Sequence, residues 1–206
     1  MSWLDAVIAL FKPKRQGGGY QPLPTPEPLP PPPAPAPSAP AVSLSSRLPT
    51  MTPQNEMVLV DELRRDEGVR YTRYLDSKGI PTTGVGHNLQ AKPLPAGWTY
   101  PLSDSQVDQL LEDDLDDVYV DLDRNLSWWR ALDAVRQRVI CNMCFNMGIG
   151  RLLGFKNMIA AARAGNYSKA ALEMLDSKWA REDVGIGTAA KPGRALRLAN
   201  MMRDGK

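Results

Sequence analysis

The chain has 206 residues, 43% of them hydrophobic and 23% charged, and carries a formal net charge of +2. This mix excludes a collagen-like, coiled-coil or disulfide-rich scaffold, and no run approaches the roughly 18 apolar residues of a membrane span. One histidine and two cysteines argue against a multi-ligand zinc site, and no metal and no cofactor is expected.

The charge is unevenly spread. Residues 1–50 hold Lys12, Lys14, Arg15 and Arg47 against Asp5 and Glu27, which accounts for the whole surplus. Asp104 to Asp123 contains nine acids and no base, whereas Arg124 to the C-terminus contains fifteen bases and six acids. A basic body suits an anionic partner, either a nucleic acid or a bacterial wall polymer, and charge alone does not choose between these and a merely solvated surface.

In residues 1–16, Leu4, Val7, Ile8 and Phe11 recur at helical spacing, which predicts a short amphipathic helix stopped at Pro13. A secretory signal fits poorly, because no base precedes the apolar run and Asp5 interrupts its start. So short a helix is marginal alone in water. A protein groove or a membrane interface would complete it, and a frayed terminus without a role is the plain alternative. Residues 17–50 open on Gly17, Gly18 and Gly19, and twelve prolines fall among residues 21–50. Such a segment has few amide donors and too little apolar surface for a core. It reads as a polyproline II tether spanning about 90 Å when stretched. A PxxP ligand is the weaker reading, since any proline-rich linker contains that pattern by chance.

From residue 51 the pattern is globular and mostly helical. Met57, Val60 and Leu63 mark the apolar face of a first helix, with Pro53 near its start and Gly68 just past its end. Over 70–87 the helical period breaks. Gly79, Pro81, Gly84 and Gly86 crowd between Tyr71, Tyr74, Ile80, Thr82 and Val85, which predicts a small hairpin-like sheet. Ser103 and Gln106 form a capping box for a long helix with the apolar stripe Val107, Leu110, Leu111, Leu115, Val118 and Leu122. Its acids lie mainly on the wet face. Val135 to Met147, closed by Gly148, is apolar nearly all round and belongs at the centre. Shorter helices are expected near 156–164, 167–178 and 193–203. The predicted fold class is mainly α, an α+β arrangement of a small lobe with a short β-sheet, a long connecting helix and a larger all-helical lobe. It occupies 51–206 as one domain, expected to be a monomer because it can bury its own core.

Glu67 ends the first helix, Asp76 follows nine residues later, and Thr82 six beyond that, in G-I-P-T-T-G-V-G-H. This brings two carboxylates and a hydroxyl to the place where a helix end faces a hairpin. Paired carboxylates in a cleft suit glycoside hydrolysis: one must be protonated to release the leaving oxygen, the other ionised to activate water or attack the sugar. As a bare pattern, two acids nine residues apart are common. His87 has no second histidine to make a metal site. Cys141 and Cys144 form a CxxC, but they lie mid-helix among Ile140, Asn142, Met143 and Phe145 and are expected to pack in the core. Trp128 and Trp129 are candidates for stacking on sugars. Adjacent positions on a helix face different ways, so at most one of them does so.

The stretch D-E-G-V-R-Y-T-R-Y-L-D-S-K-G-I-P-T-T-G-V-G-H (66–87) resembles the catalytic signature of the phage-type lysozymes, glycoside hydrolase family 24. R-V-I-C-N-M-C-F-N-M-G (138–148) is similar to the central helix of that family. G-F-K-N (154–157), S-K-W (177–179) and P-G-R-A-L-R (192–197) continue the likeness, in order, over essentially all of 51–206. The resemblance implies a muramidase that hydrolyses the β-1,4 bond between N-acetylmuramic acid and N-acetylglucosamine of bacterial peptidoglycan, with inversion. It implies Glu67 as general acid, Asp76 as partner carboxylate and Thr82 as a holder of the attacking water, for which the carboxyls of an inverting enzyme stand about 6.5–9.5 Å apart. By the same likeness Arg194 supports Glu67, Phe145 lines the substrate cleft, Trp179 packs in the core, and His87 pairs with Asp114 in a structural ion pair. Asn88, Met158 and Glu173 stand where other substrate-contacting residues are usual, so the resemblance does not extend to the details of glycan and stem-peptide preference, and it leaves the catalytic set untouched. The loop between His87 and Ser103 is also shorter than in well-known members.

Two other classes stay open beside hydrolysis: a virion structural or peptidoglycan-binding component, and a lytic transglycosylase. Asp76 and Thr82 favour hydrolysis, because a transglycosylase uses the sugar's own hydroxyl and needs no water-holding aspartate. No nucleic-acid partner is expected. A phage-encoded enzyme of this kind would act in the host periplasm or wall, released through a holin or carried in the virion, with residues 1–16 contacting a membrane or a virion protein.

Overall fold

The computed structural model describes residues 51–76 and 78–206, all within one compact unit. The predicted amphipathic helix (1–16) and proline-rich tether (17–50) lie outside the described residues.

Helix α1, Pro53–Glu67, begins where its sequence dictates: Thr52 accepts from the Asn55 N–H and Pro53 occupies the first turn. Gly68 ends it at φ 75°. Its buried face differs from the expected one. Met57 is 64% exposed and Val60 only half-buried, while Leu59 and Leu63 are fully buried. The reason is that half of the inward face is polar. Asn55, Glu62 and Asp66 turn inward beside the two leucines, so hydrophobicity alone places Leu63 correctly and Met57 wrongly, with Val60 at the edge of the core.

Strands β1 (Arg70–Leu75), β2 (Pro81–Gly84) and β3 (His87–Asn88) form an antiparallel sheet in that order. Tyr74 stands opposite Thr82, and Thr82 opposite Asn88. The β1–β2 connection is pinned at Asp76, whose carbonyl accepts from the Gly79 N–H at 3.0 Å. Gly79 has φ 78°, a conformation a side chain would strain.

Helix α2, Asp104–Asn125, has both halves of its predicted capping box. All six residues of its predicted stripe are buried. A 3₁₀ turn (Trp129–Ala131) leads to α3, Ala134–Met147, capped by Asp133. Val139, Ile140, Met143, Cys144 and Met147 bury it at the centre, packed on α1 and α2. Then follow α4 (Ile149–Leu152), α5 (Lys156–Arg163), α6 (Tyr167–Leu175), a π turn (Trp179–Asp183) and α7 (Arg194–Asp204). Helix α6 stops three residues short of the expected 178. Ser177 draws the chain aside, its hydroxyl donating to the Met174 carbonyl at 2.7 Å and accepting from the Ala180 N–H at 3.1 Å. The result is the mainly α, lysozyme-like arrangement expected, with a small sheet beside a helical body. Among the described residues no helix is long and apolar enough to cross a membrane.

Candidate active site

Helices α1, α3 and α7 meet at Glu67. An ion-paired polar seam runs along α1 and α3 towards it. Asn55 donates to the Ala134 carbonyl at 2.9 Å and accepts from Arg138, whose Nε donates to Glu62 at 3.1 Å. One turn further on, Asn142 Nδ2 donates to Asp66 at 3.0 Å. From α7, Arg197 donates to Asp66, and the Arg194 Nε lies 3.4 Å from it. Arg194 also donates from Nε to the Asn142 side chain at 2.9 Å. Burial alone would push the Asp66 carboxyl up; Arg197, Asn142 and Arg194 outweigh it and hold the carboxyl below its usual range.

With its guanidinium so anchored, Arg194 donates from Nη1 to Glu67 Oε1 at 2.6 Å. Asn146 Nδ2 donates to the same oxygen at 3.3 Å. The Asn146 amide is oriented from behind, because Trp179 Nε1 donates to its Oδ1 at 2.9 Å. Both donors converge on Oε1, and Oε2 has no hydrogen-bond partner among the described residues. The Glu67 side chain keeps 22% of its surface exposed.

Asp76 is held in a parallel way. Its Oδ1 accepts from the N–H groups of Lys78 and Ile80, each at 2.8 Å, and its Oδ2 is unengaged among the described residues. The Ile80 carbonyl accepts from the Asp76 N–H at 3.0 Å and from Thr82 Oγ1 at 2.9 Å. Thr82 is therefore buried with its hydroxyl proton committed to Ile80, and its lone pairs are left to accept. Tyr74, across the sheet from Thr82, senses both carboxylates. Burial pushes its phenol up, Arg70 opposes this, and Glu67 and Asp76 both add to it.

His87 is buried, with Nδ1 2.8 Å from Asp114 Oδ2 and Nε2 2.9 Å from the Lys92 carbonyl. Phe145 lies half-buried on α3 beside Asn146, against the edge of the core. Asn88 is exposed, and its side chain accepts from the N–H groups of Gln90 and Ala91 in a turn. Met158 is a core residue at 1% exposure, and Glu173 accepts from Asn157 at 3.2 Å. Both line a groove that includes Ser177 and Trp179. Cys141 and Cys144 are buried free thiols. Burial pushes the first well above the usual thiol range and the second up to about 12, so neither ionises readily. No group of three or more His, Cys, Asp or Glu side chains among the described residues is placed to hold a metal ion.

Asp66, Asn142, Asn146 and Arg197 join the site without having been singled out in the sequence. Asp66 and Arg197 are 131 positions apart, and no local pattern announces such a pair. The available signal was a helical face on α1 that repeats polar residues at 55, 62 and 66.

A family model described as Phage lysozyme matches residues 64–193. The chain is 31% identical over 160 residues to the pre-baseplate central spike protein Gp5 of Enterobacteria phage T4, which covers 68% of this chain and 28% of that protein's length. It is 34% identical over 116 residues to an endolysin of Salmonella phage P22, covering 51% of this chain and 76% of the endolysin. It is 25% identical over 171 residues to the probable T4-type lysozyme 1 of Dictyostelium discoideum, covering 70% and 93%.

Proposed function

Because the chain belongs to the phage lysozyme family, we propose that it is a muramidase, cleaving the β-1,4 bond between N-acetylmuramic acid and N-acetylglucosamine in peptidoglycan by a single inverting displacement. The observation that carries this reading is that each of two carboxylates is fixed through one oxygen and presents the other. Glu67 is held at Oε1 by Arg194 and Asn146, and Asp76 at Oδ1 by two backbone amides.

In the mechanism, Glu67 delivers its proton from Oε2 to the glycosidic oxygen as the bond to the anomeric carbon breaks. A water attacks that carbon from the opposite face and loses its proton to Asp76 Oδ2. Thr82 Oγ1 accepts a hydrogen bond from this water, since its own proton is spent on Ile80. The negative charge left on Glu67 is received by the donors already in place at Oε1, so little reorganisation is needed in the transition state. Arg194 is shared between two carboxylates, since its Nε also lies 3.4 Å from Asp66.

The likeness to the T4 spike protein supports a place in the virion, opening the wall at infection. Detection of the chain by mass spectrometry in purified particles is the expected result; presence only in lysates would turn the reading to late lysis. The chemistry is tested on borohydride-reduced fragments of purified peptidoglycan. The parent is expected to give reduced muramic acid ends, and Glu67→Gln to lower their rate of appearance by about 10²- to 10⁴-fold. Anhydro-muramic ends would make the enzyme a transglycosylase and remove the roles given to Asp76 and Thr82. The first-formed anomer, followed by NMR, is expected to be α, and a β product would sink the inverting step.

A further inference from the structure

The adjacent tryptophans have different surroundings. Trp129 is fully buried and stacks on Tyr119 with ring centroids 6.1 Å apart, and its Nε1 donates to Asp123 at 2.7 Å. Trp128 is only half-buried and lines a surface groove between the end of α2 and α5. Leu153, Ile159 and Ala160 give the groove more apolar wall, and Lys156 and Arg163 bring two exposed cations. No acid lines it, and neither cation has a carboxylate partner among the described residues.

An indole offers a broad apolar face together with a polar edge. The apolar C–H face of a pyranose ring fits against such a surface, and carboxylates carried on the same strand suit two unpaired cations. Concave, aromatic-walled sites with a few convergent polar groups are the usual form of a ligand cleft. Lys156 also lines the separate groove that includes Trp179. The indole of Trp179 is bonded to Asn146, which reaches Glu67. One lysine therefore borders both the Trp128 groove and the groove walled by Trp179, the residue that orients Asn146 towards Glu67.

We propose that the Trp128 groove is a second glycan-binding site, which takes a carboxylate-bearing muramyl stretch of the wall strand away from the scissile bond and keeps the enzyme on its insoluble substrate. The identity of the ligand rests on the muramidase reading; the existence of the groove and its charge do not.

The test uses the full chain with Glu67→Gln, so that binding is measured without cleavage. Sedimentation with walls stripped of protein and of attached phosphate polymers gives the affinity. Adding Trp128→Ala or Arg163→Glu is expected to weaken binding about 3- to 10-fold each. In Glu67-intact protein, the same substitutions should leave the hydrolysis of short soluble muroglycan fragments unchanged. Arg163 is exposed, so its variant stands if Trp128→Ala folds poorly. Unchanged affinity of the Arg163 variant for stripped walls would overturn the proposal. So would an effect seen only on unstripped walls, which would assign the groove to a protein or a phosphate polymer, and so would an equal loss on the short fragments. Failure of the Glu67-intact chain to release reducing ends from stripped walls would instead remove the muramidase reading, and the binding comparison would still decide the groove.

Discussion

Glu67 is held through a series of side chains in which each fixes the next. The Trp179 indole donates to Asn146 Oδ1 and thereby turns the amide nitrogen towards Glu67 Oε1. Asn146 is thus a positioning residue. Asn146→Ala is expected to lower kcat on soluble fragments by about 10- to 100-fold through misplacement of the acid, while KM stays near the parent value. It should also cost about 1–3 kcal/mol of stability, because the buried Trp179 N–H loses its partner. Unchanged kcat with a lowered Tm would show that Arg194 suffices to hold Glu67. Asp66, next along α1, acts on stability. Its depressed carboxyl contributes fully above the ordinary aspartate pKa of about 3.9, and the contribution is lost as pH falls through the lower folded value. Asp66→Asn should therefore cost on the order of 3 kcal/mol near neutrality, because it leaves Arg197 and Arg194 facing a neutral amide. The deficit in chemical denaturation should shrink below about pH 4. A deficit constant down to pH 2 would mean that packing, not charge, is what the substitution removes.

The elements were unequally legible from the sequence. Helix α2 was readable in full, because its apolar period and capping box are local and agree with one another. The inward face of α1 was not, because Asn55 and Glu62 are buried through partners on α3 some 80 positions away. The end of α6 depended on one serine hydroxyl. For the candidate site, the stretches that carry Glu67, Asp76 and Arg194 were legible by resemblance. The seam that sets Arg194 was not, since it joins residues through the tertiary fold alone. The sheet is tied to α2 through His87. Burial lowers its pKa, but Asp114 and the Lys92 carbonyl raise it further, and the Lys92 ammonium opposes them weakly, so the net shift is upward. Both ring nitrogens face acceptors, which suits the imidazolium. A raised folded pKa contributes stability fully below about pH 6.5, and that stability is lost as pH rises through the folded value. The Tm gap between the parent and His87→Gln is accordingly expected to be widest at acid pH and to narrow on the alkaline side. A gap independent of pH would mean that His87 holds the sheet by shape and neutral hydrogen bonds.

Over the described molecule the two charge blocks are treated differently by the fold. Much of the acidic face of α2 is answered locally: Arg64 meets Asp104 and Asp108, Lys92 meets Asp114 and Asp117, and Arg130 meets Asp123. In the basic part, Arg194 and Arg197 are consumed at the site, and Arg136, Arg151 and Arg181 have aspartate partners. Lys156, Arg163 and Lys169 remain exposed without a carboxylate partner among the described residues. The surface left over is therefore basic on the helical side, where an anionic wall strand would be met. Exposed charges act over a Debye length of about 10 Å at 0.1 M salt and about half that at fourfold higher ionic strength. Turnover of intact walls, as kcat/KM, is expected to fall several-fold between about 0.05 and 0.3 M salt, while hydrolysis of short soluble fragments changes little. Arg163→Glu should flatten that dependence, because it removes a cation that screening would otherwise silence. A salt response equal for walls and fragments would place the effect at Glu67 and Asp76 and leave the basic surface without a part in wall binding.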